Sequence, residues 1–236
     1  MDFQCKEFEL NHSHSTMKTG TDAILLSALT PVFSPEKILD IGTGCGIVAL
    51  CMAQRYKQSK ITAIDIDRNS IKEAIDNFKN SKFASRLNTF QISLQDFAKK
   101  SKTPFDLIVS NPPFFTNSLL SKNEKRNIAR HNITLTLEDL AIYPPLLLSS
   151  NGYFVIILPA KETDDFISLA LNHNLFCYKQ YFVFDKICKA CKRIVSILTK
   201  SEISHQIIKH NIILRETNNN YTEQYRNLAS EFLVGL

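Results

Sequence analysis

Ile38-Leu39-Asp40-Ile41-Gly42-Thr43-Gly44-Cys45-Gly46-Ile47 decides the fold of this chain: an apolar strand runs into alternating glycines and then into an apolar segment with helical spacing. The whole sequence holds six glycines, and three of them fall within residues 42–46. Glycines at such a turn are needed where the chain bends tightly and a ligand approaches the backbone with no Cβ in the way. A dinucleotide fingerprint reads G-x-G-x-x-G, but Ile47 stands where its third glycine belongs, leaving G-x-G-x-G. A pyrophosphate would also avoid the carboxylate of Asp40 at the edge of the turn. The ligand is therefore expected to be neutral or cationic at that point.

Outward from this turn, β-branched apolar runs alternate with helical periodicity, the pattern of βαβ units in a mostly parallel sheet with helices on both faces. Strands are predicted at 37–41, 61–66, 89–93, 105–110, 153–158, 176–184 and 193–199, and helices at 22–29, 47–56, 69–80, 137–148, 162–172 and 221–233. The fold class is thus α/β and Rossmann-like. No internal repeat or low-complexity tract interrupts it.

At 236 residues, with 44% hydrophobic and 22% charged residues, the chain has the composition of a globular domain and enough length to bury a core. Its first residues mix charges with apolar side chains, so no signal peptide is expected, and no apolar run approaches the ~20 residues of a membrane span. A cytoplasmic location is expected, and a monomer. Six cysteines do not form a disulfide framework in such a chain. Cys188 and Cys191 form C-x-x-C, but the following His205 and His210 have poor spacing for zinc, so no metal is expected. Residues 1–175 carry 19 basic and 18 acidic side chains, residues 176–236 carry 9 and 5, and Lys122, Lys125, Arg126, Arg130 and His131 cluster in between. Local basic excess of this kind suits a polyanion.

Nineteen residues beyond Gly46, the second strand ends in Asp65, a carboxylate suited to accept from both hydroxyls of a ribose. Asp67 is the alternative, although its place suits the turn before a helix. After the third strand, Asp96 and Phe97 offer an acceptor and a ring for an adenine, and Asp96 also suits a helix cap. The strand at 105–110 runs into Asn111-Pro112-Pro113-Phe114. Two prolines fix the backbone and supply carbonyls without N–H groups. The Asn111 side-chain oxygen and the Pro112 carbonyl can both accept from an exocyclic NH2, while Phe114 gives a planar base a face to stack on. Such an amine is a poor nucleophile because its lone pair is delocalised. Two acceptors on its hydrogens favour a pyramidal nitrogen and stabilise the positive charge that grows there, so no strong general base is required.

Together, Asp40 through Gly46, Asp65, Asp96 and Asn111-Pro112-Pro113-Phe114 resemble the class I S-adenosylmethionine-dependent methyltransferases that modify exocyclic or amide nitrogens. The resemblance implies a seven-stranded sheet with the last strand antiparallel. It places the cofactor over Asp40, Gly42, Gly44 and Gly46, its ribose at Asp65 with Ile66 beside it, its adenine near Asp96 and Phe97, and its methyl close to Asn111. More narrowly, Met17-Lys18-Thr19-Gly20-Thr21-Asp22-Ala23, Ala129-Arg130-His131 and Ile213-Leu214-Arg215 with Asn220-Tyr221-Thr222-Glu223 resemble the bacterial valine-tRNA adenine-N6 methyltransferases. That similarity implies S-adenosylmethionine as cofactor and tRNA as partner. It divides the chain into a 1–35 extension that closes over the cofactor through Lys18, Gly20, Thr21 and Asp22, and a 36–236 methyltransferase domain. Lys122, Lys125, Arg126, Arg130, His131, Lys192 and Arg193 would face RNA. Phe114 where tyrosine is common, and Asp65 where glutamate is frequent, are departures that preserve stacking and diol contact. Release-factor glutamine methylation, methylation of another RNA or of DNA, and a non-catalytic adenosine- or RNA-binding module are the other functions compatible with these residues.

Overall fold

A computed structural model describes residues 3–10, 20–113 and 135–235. In chain order its elements are β1 (Phe3–Gln4), β2 (Glu9–Leu10), α1 (Thr21–Ala28), β3 (Lys37–Ile41), α2 (Ile47–Arg55), β4 (Lys60–Asp65), α3 (Arg68–Asn80), β5 (Leu87–Gln91), α4 (Leu94–Lys100), β6 (Phe105–Ser110), α5 (Leu137–Leu147), β7 (Leu148–Pro159), α6 (Ala160–Asn172), β8 (Phe176–Phe184), β9 (Cys191–Thr199), β10 (Ile208–Ile213) and α7 (Glu223–Ala229). β1 and β2 form a small antiparallel pair, and the other eight strands form one sheet in the order β10-β8-β9-β7-β6-β3-β4-β5. Its neighbours are parallel except around β9, which runs antiparallel to both β7 and β8.

The sheet therefore has one strand more than the seven expected. β10 lies outside β8 and parallel to it. Lys209, His210 and Asn211 are consecutive exposed positions in this edge strand, so the sequence shows no clean alternation there. The outer side of β10 is met by Gln224, whose amide accepts from Ile213 N–H at 3.1 Å and donates to the Asn211 carbonyl at 3.0 Å. α4 is likewise additional to the predicted helices. It is seven residues long and starts where the Ser93 hydroxyl accepts from Asp96 N–H.

Alternate residues of the central strands feed two cores, as a sheet covered on both faces requires. Ile38, Leu107, Val109, Val155 and Ile157 pack with α1, α2 and α7; Leu39, Ile41, Ile108, Phe154 and Ile156 pack with α5 and α6. Cys5, Phe8 and Leu10 share the first core, and Cys5 bridges to Leu233, so the two ends of the described chain meet. Parallel strands bring Gly42, Ile66, Ile92 and Asn111 to one edge. The chain goes from β3 to β4 on one side and places β6 on the other, a topological switch point where α/β sheets bind ligands.

Candidate active site

The three turn glycines all have positive φ: +71° at Gly42, +56° at Gly44 and +90° at Gly46. The amides of Gly42 and Thr43 both donate to the Ile64 carbonyl, at 2.9 and 3.0 Å, which ties the turn to β4. A Cβ on Gly46 would lie 2.4 Å from Phe78 Cε1, so this glycine admits the close crossing of α3. A Cβ on Gly44 would meet nothing within 4 Å. That glycine faces open space, where a ligand can reach the backbone.

Asp40 is 1% exposed. Its Oδ2 accepts from the Thr43 hydroxyl at 2.6 Å, while its buried Oδ1 has no hydrogen-bond partner among the described residues. Burial pushes its carboxyl up to about 7; the Thr43 hydroxyl and the backbone amide of Ala49 pull it down, and the nearby Asp65 charge adds to the rise. Asp65 joins the two loops: Oδ2 accepts from Gly44 N–H and Oδ1 from Asp67 N–H, both at 2.9 Å. A carboxylate offers about four acceptor positions, so both oxygens retain capacity for a diol. Ile66 beside it is 37% exposed. Asp67 caps α3, accepting from Ser70 N–H at 2.7 Å, the turn role its position suggested. Asp96 is exposed in the first turn of α4, where Ser93 and then Lys99, 3.4 Å away, hold its carboxyl below the usual range. Phe97 is half-buried between Phe90 and Phe105, at ring separations of 6.5 and 6.1 Å.

Across the switch point, the buried Ser110 hydroxyl donates to the Ile41 carbonyl at 2.9 Å and locks the end of β6 to β3 directly before Gly42. Asn111 follows, with its side-chain Oδ1 buried and without a hydrogen-bond partner among the described residues. Pro112 is buried and Pro113 exposed. The corner thus keeps an acceptor in reserve beside the glycine turn. An unmet acceptor is costly unless something supplies a donor. Phe114, Lys18, Lys122, Lys125, Arg126, Arg130 and His131 lie outside the described residues.

Gly20 is the extended N-cap of α1, followed by Thr21 and Asp22. Asp22 is paired with Arg193, and Lys192 with Asp185 at 3.7 Å, so both basic residues expected to face RNA have acidic partners within the protein. Sequence reasoning did not single out Thr43, Ser110 or the Asp22–Arg193 pair. Thr43 sits three residues after a buried acid and Ser110 ends an apolar strand, which are local signals; the pair joins residues 171 positions apart and has none.

Two orphaned acceptors, on Asp40 and Asn111, and an open glycine backbone suit a ligand that brings cationic and N–H groups. This set of acceptors fits S-adenosylmethionine. Among the described residues there is no cluster of three or more metal-binding side chains, and no helix long and apolar enough to cross a membrane.

Residues 10–137 match the methyltransferase small domain family. The chain is 36% identical over 233 residues to a tRNA1(Val) (adenine(37)-N6)-methyltransferase of Flavobacterium johnsoniae, covering 98% of this chain and 99% of that protein. A protein of the same name from Bacteroides fragilis is 37% identical over 236 residues, covering 98% and 97%. Among solved structures, a predicted O-methyltransferase from Agrobacterium tumefaciens is similar with a TM-score of 0.68 at 15% identity, covering 89% of this chain and 96% of that one. TrmN from Thermus thermophilus is similar with a TM-score of 0.56 at 18% identity, covering 76% and 48%. These two likenesses concern the fold.

Proposed function

The chain belongs to the methyltransferase small domain family and, over nearly its whole length, to the tRNA1(Val) (adenine(37)-N6)-methyltransferases, and from that premise we propose that it transfers a methyl group from S-adenosylmethionine to N6 of the adenine just 3′ of the anticodon of valine tRNA. One observation carries the chemistry: the buried, unpartnered Oδ1 of Asn111, held by the Ser110 anchor and Pro112 at the switch point.

When bound, S-adenosylmethionine supplies an electrophilic methyl carried on a sulfonium. Asp40 and the Gly42-to-Gly46 turn hold its amino-acid portion and Asp65 its ribose; Ile66, Asp96 and Phe97 line the adenine end. Lys18, Gly20, Thr21 and Asp22 close over it from the 1–35 segment, beside the 36–236 domain. Asn111 Oδ1 and the Pro112 carbonyl accept from the N6 hydrogens, Pro113 stiffens the corner and Phe114 stacks on the base. These contacts orient the lone pair and spread the charge that develops on nitrogen. A loop base is splayed into such a pocket at lower cost than a duplex base, which favours an anticodon loop. Lys122, Lys125, Arg126, Arg130, His131 and Lys192 contact RNA phosphates. The protein acts in the cytoplasm as a monomer, for which light scattering should return 26.9 kDa.

The deciding assay incubates the protein and labelled S-adenosylmethionine with valine tRNA, then separates nucleosides by mass spectrometry. N6-methyladenosine at the position after the anticodon is the expected product. Bound cofactor with no label in RNA would overturn the proposal.

A further inference from the structure

Arg193 lies at the first part of β9, which runs antiparallel between β7 and β8. Ser110 pairs with Ile156, and Pro159 pairs with Arg193. Arg193 therefore stands three residues beyond the level of Ser110, at the edge of the sheet that carries the glycine turn. It is two strands from β6, on the order of 10 Å from the Asn111 corner at the usual strand spacing.

From there its Nε donates to Asp22 Oδ2 at 2.9 Å, and its Nη1 to the Lys192 carbonyl at 3.0 Å. Both partners of the ion pair are 26% exposed, which makes it stronger and less screened than a fully exposed pair. Asp22 is the second residue of α1, directly after Thr21 and the N-cap Gly20, and α1 packs on α2, the helix that leaves the glycine turn. The bond thus fastens the first turn of α1 to the edge where the cofactor is expected. It also sets a carboxylate against a guanidinium beside a pocket proposed to receive a cation, removing a repulsion that an unpaired arginine would impose.

We propose that Arg193 is a positioning residue for the cofactor, acting through Asp22 to hold Gly20, Thr21 and Asp22 against the glycine turn, and is not an RNA contact. The inference rests on the methyltransferase reading above. The pair ties the first turn of α1 to β9 across 171 residues.

The test measures S-adenosylmethionine binding by calorimetry and valine-tRNA binding by filter retention, for Arg193→Ala, Arg193→Lys, Asp22→Asn and the Arg193→Ala/Asp22→Asn double variant. Removing either partner should weaken cofactor binding about tenfold, as expected for a charge-assisted hydrogen bond, with tRNA affinity within about twofold of wild type. The double variant should lose little more than the worse single one, since coupled partners are not additive. Arg193→Lys should recover part of the loss, and amide exchange over residues 23–28 should quicken in Arg193→Ala. Weakened tRNA binding with cofactor affinity intact, additive losses, or unchanged cofactor affinity would each overturn the proposal. If the wild-type protein methylates no RNA yet binds the cofactor, the function fails while the cofactor arm still decides the role of Arg193.

Discussion

Asn111 and Asp40 are the two residues whose buried oxygens lack partners among the described residues at the switch point, and they answer to different probes. Asn111→Ala should cut single-turnover methylation on the order of 10²-fold or more, as loss of a preorganised acceptor does, with S-adenosylmethionine affinity nearly unchanged. Equal turnover in the variant would remove Asn111 from the mechanism. Asp40 carries the pH dependence. Its folded-state value of about 7 lies above the ordinary 3.8, so the native protein holds the proton more tightly than the unfolded chain. The associated stability is fully present below about 4 and is lost as pH rises through about 7. Ligand binding runs the other way, because a cation favours the ionised carboxylate. S-adenosylmethionine affinity should rise about tenfold from pH 6 to pH 8, following the ionised fraction, and calorimetry in buffers of different ionisation enthalpy should detect proton release. In Asp40→Asn the affinity should be low and flat with pH, while thermal stability at pH 8 is undiminished. Both residues were legible in the sequence because a buried acid before a glycine turn and an asparagine before two prolines are local patterns. The roles of Thr43 and of the Asp22–Arg193 pair were not: one acts through a hydroxyl whose partner is another side chain, the other through a carboxylate brought near only by the fold.

Among elements, the strand–turn–helix unit shows how one motif carries two constraints. Gly46 sits against Phe78 of α3, whereas Gly44 faces open space, although both have positive φ. Gly44→Ala should lose about 1–2 kcal/mol of stability from left-handed backbone strain and most of its cofactor affinity. Gly46→Ala should lose more, because the Phe78 ring must move from 2.4 Å as well. Denaturant unfolding measures both, and a Phe78→Leu change should recover part of the second loss and none of the first. β3, β6 and β8 were readable to the residue because each is a run dominated by β-branched, aromatic and other apolar residues. α4 and β10 were not, since a seven-residue helix offers under two turns of periodicity and an edge strand with Lys209, His210 and Asn211 exposed lacks alternation. Their pairing is decided by neighbours: Ser93 starts one, and β8 with Gln224 flanks the other.

At the scale of the molecule, segments near both ends of the described chain pack into one core. Tyr225 is 2% and Phe232 0% exposed, both within the core that α1 and α2 share, and Cys5 pairs with Leu233 beside the Arg55–Glu231 ion pair. The C-terminal helix α7 packs against α1, so it backs the segment expected to close over the cofactor. Phe232→Ala should therefore cost about 3–5 kcal/mol, the range for emptying a buried aromatic site. A chain ending at Asn220 loses Tyr225, Ala229 and Phe232 together, and a domain with about 5–15 kcal/mol in total cannot absorb that. It should show no cooperative unfolding transition in denaturant and no cofactor binding, even though the glycine turn, Asp65 and Asn111 all remain. A truncated chain that still unfolds cooperatively and binds the cofactor would show that the sheet and its turn suffice without the closing helix.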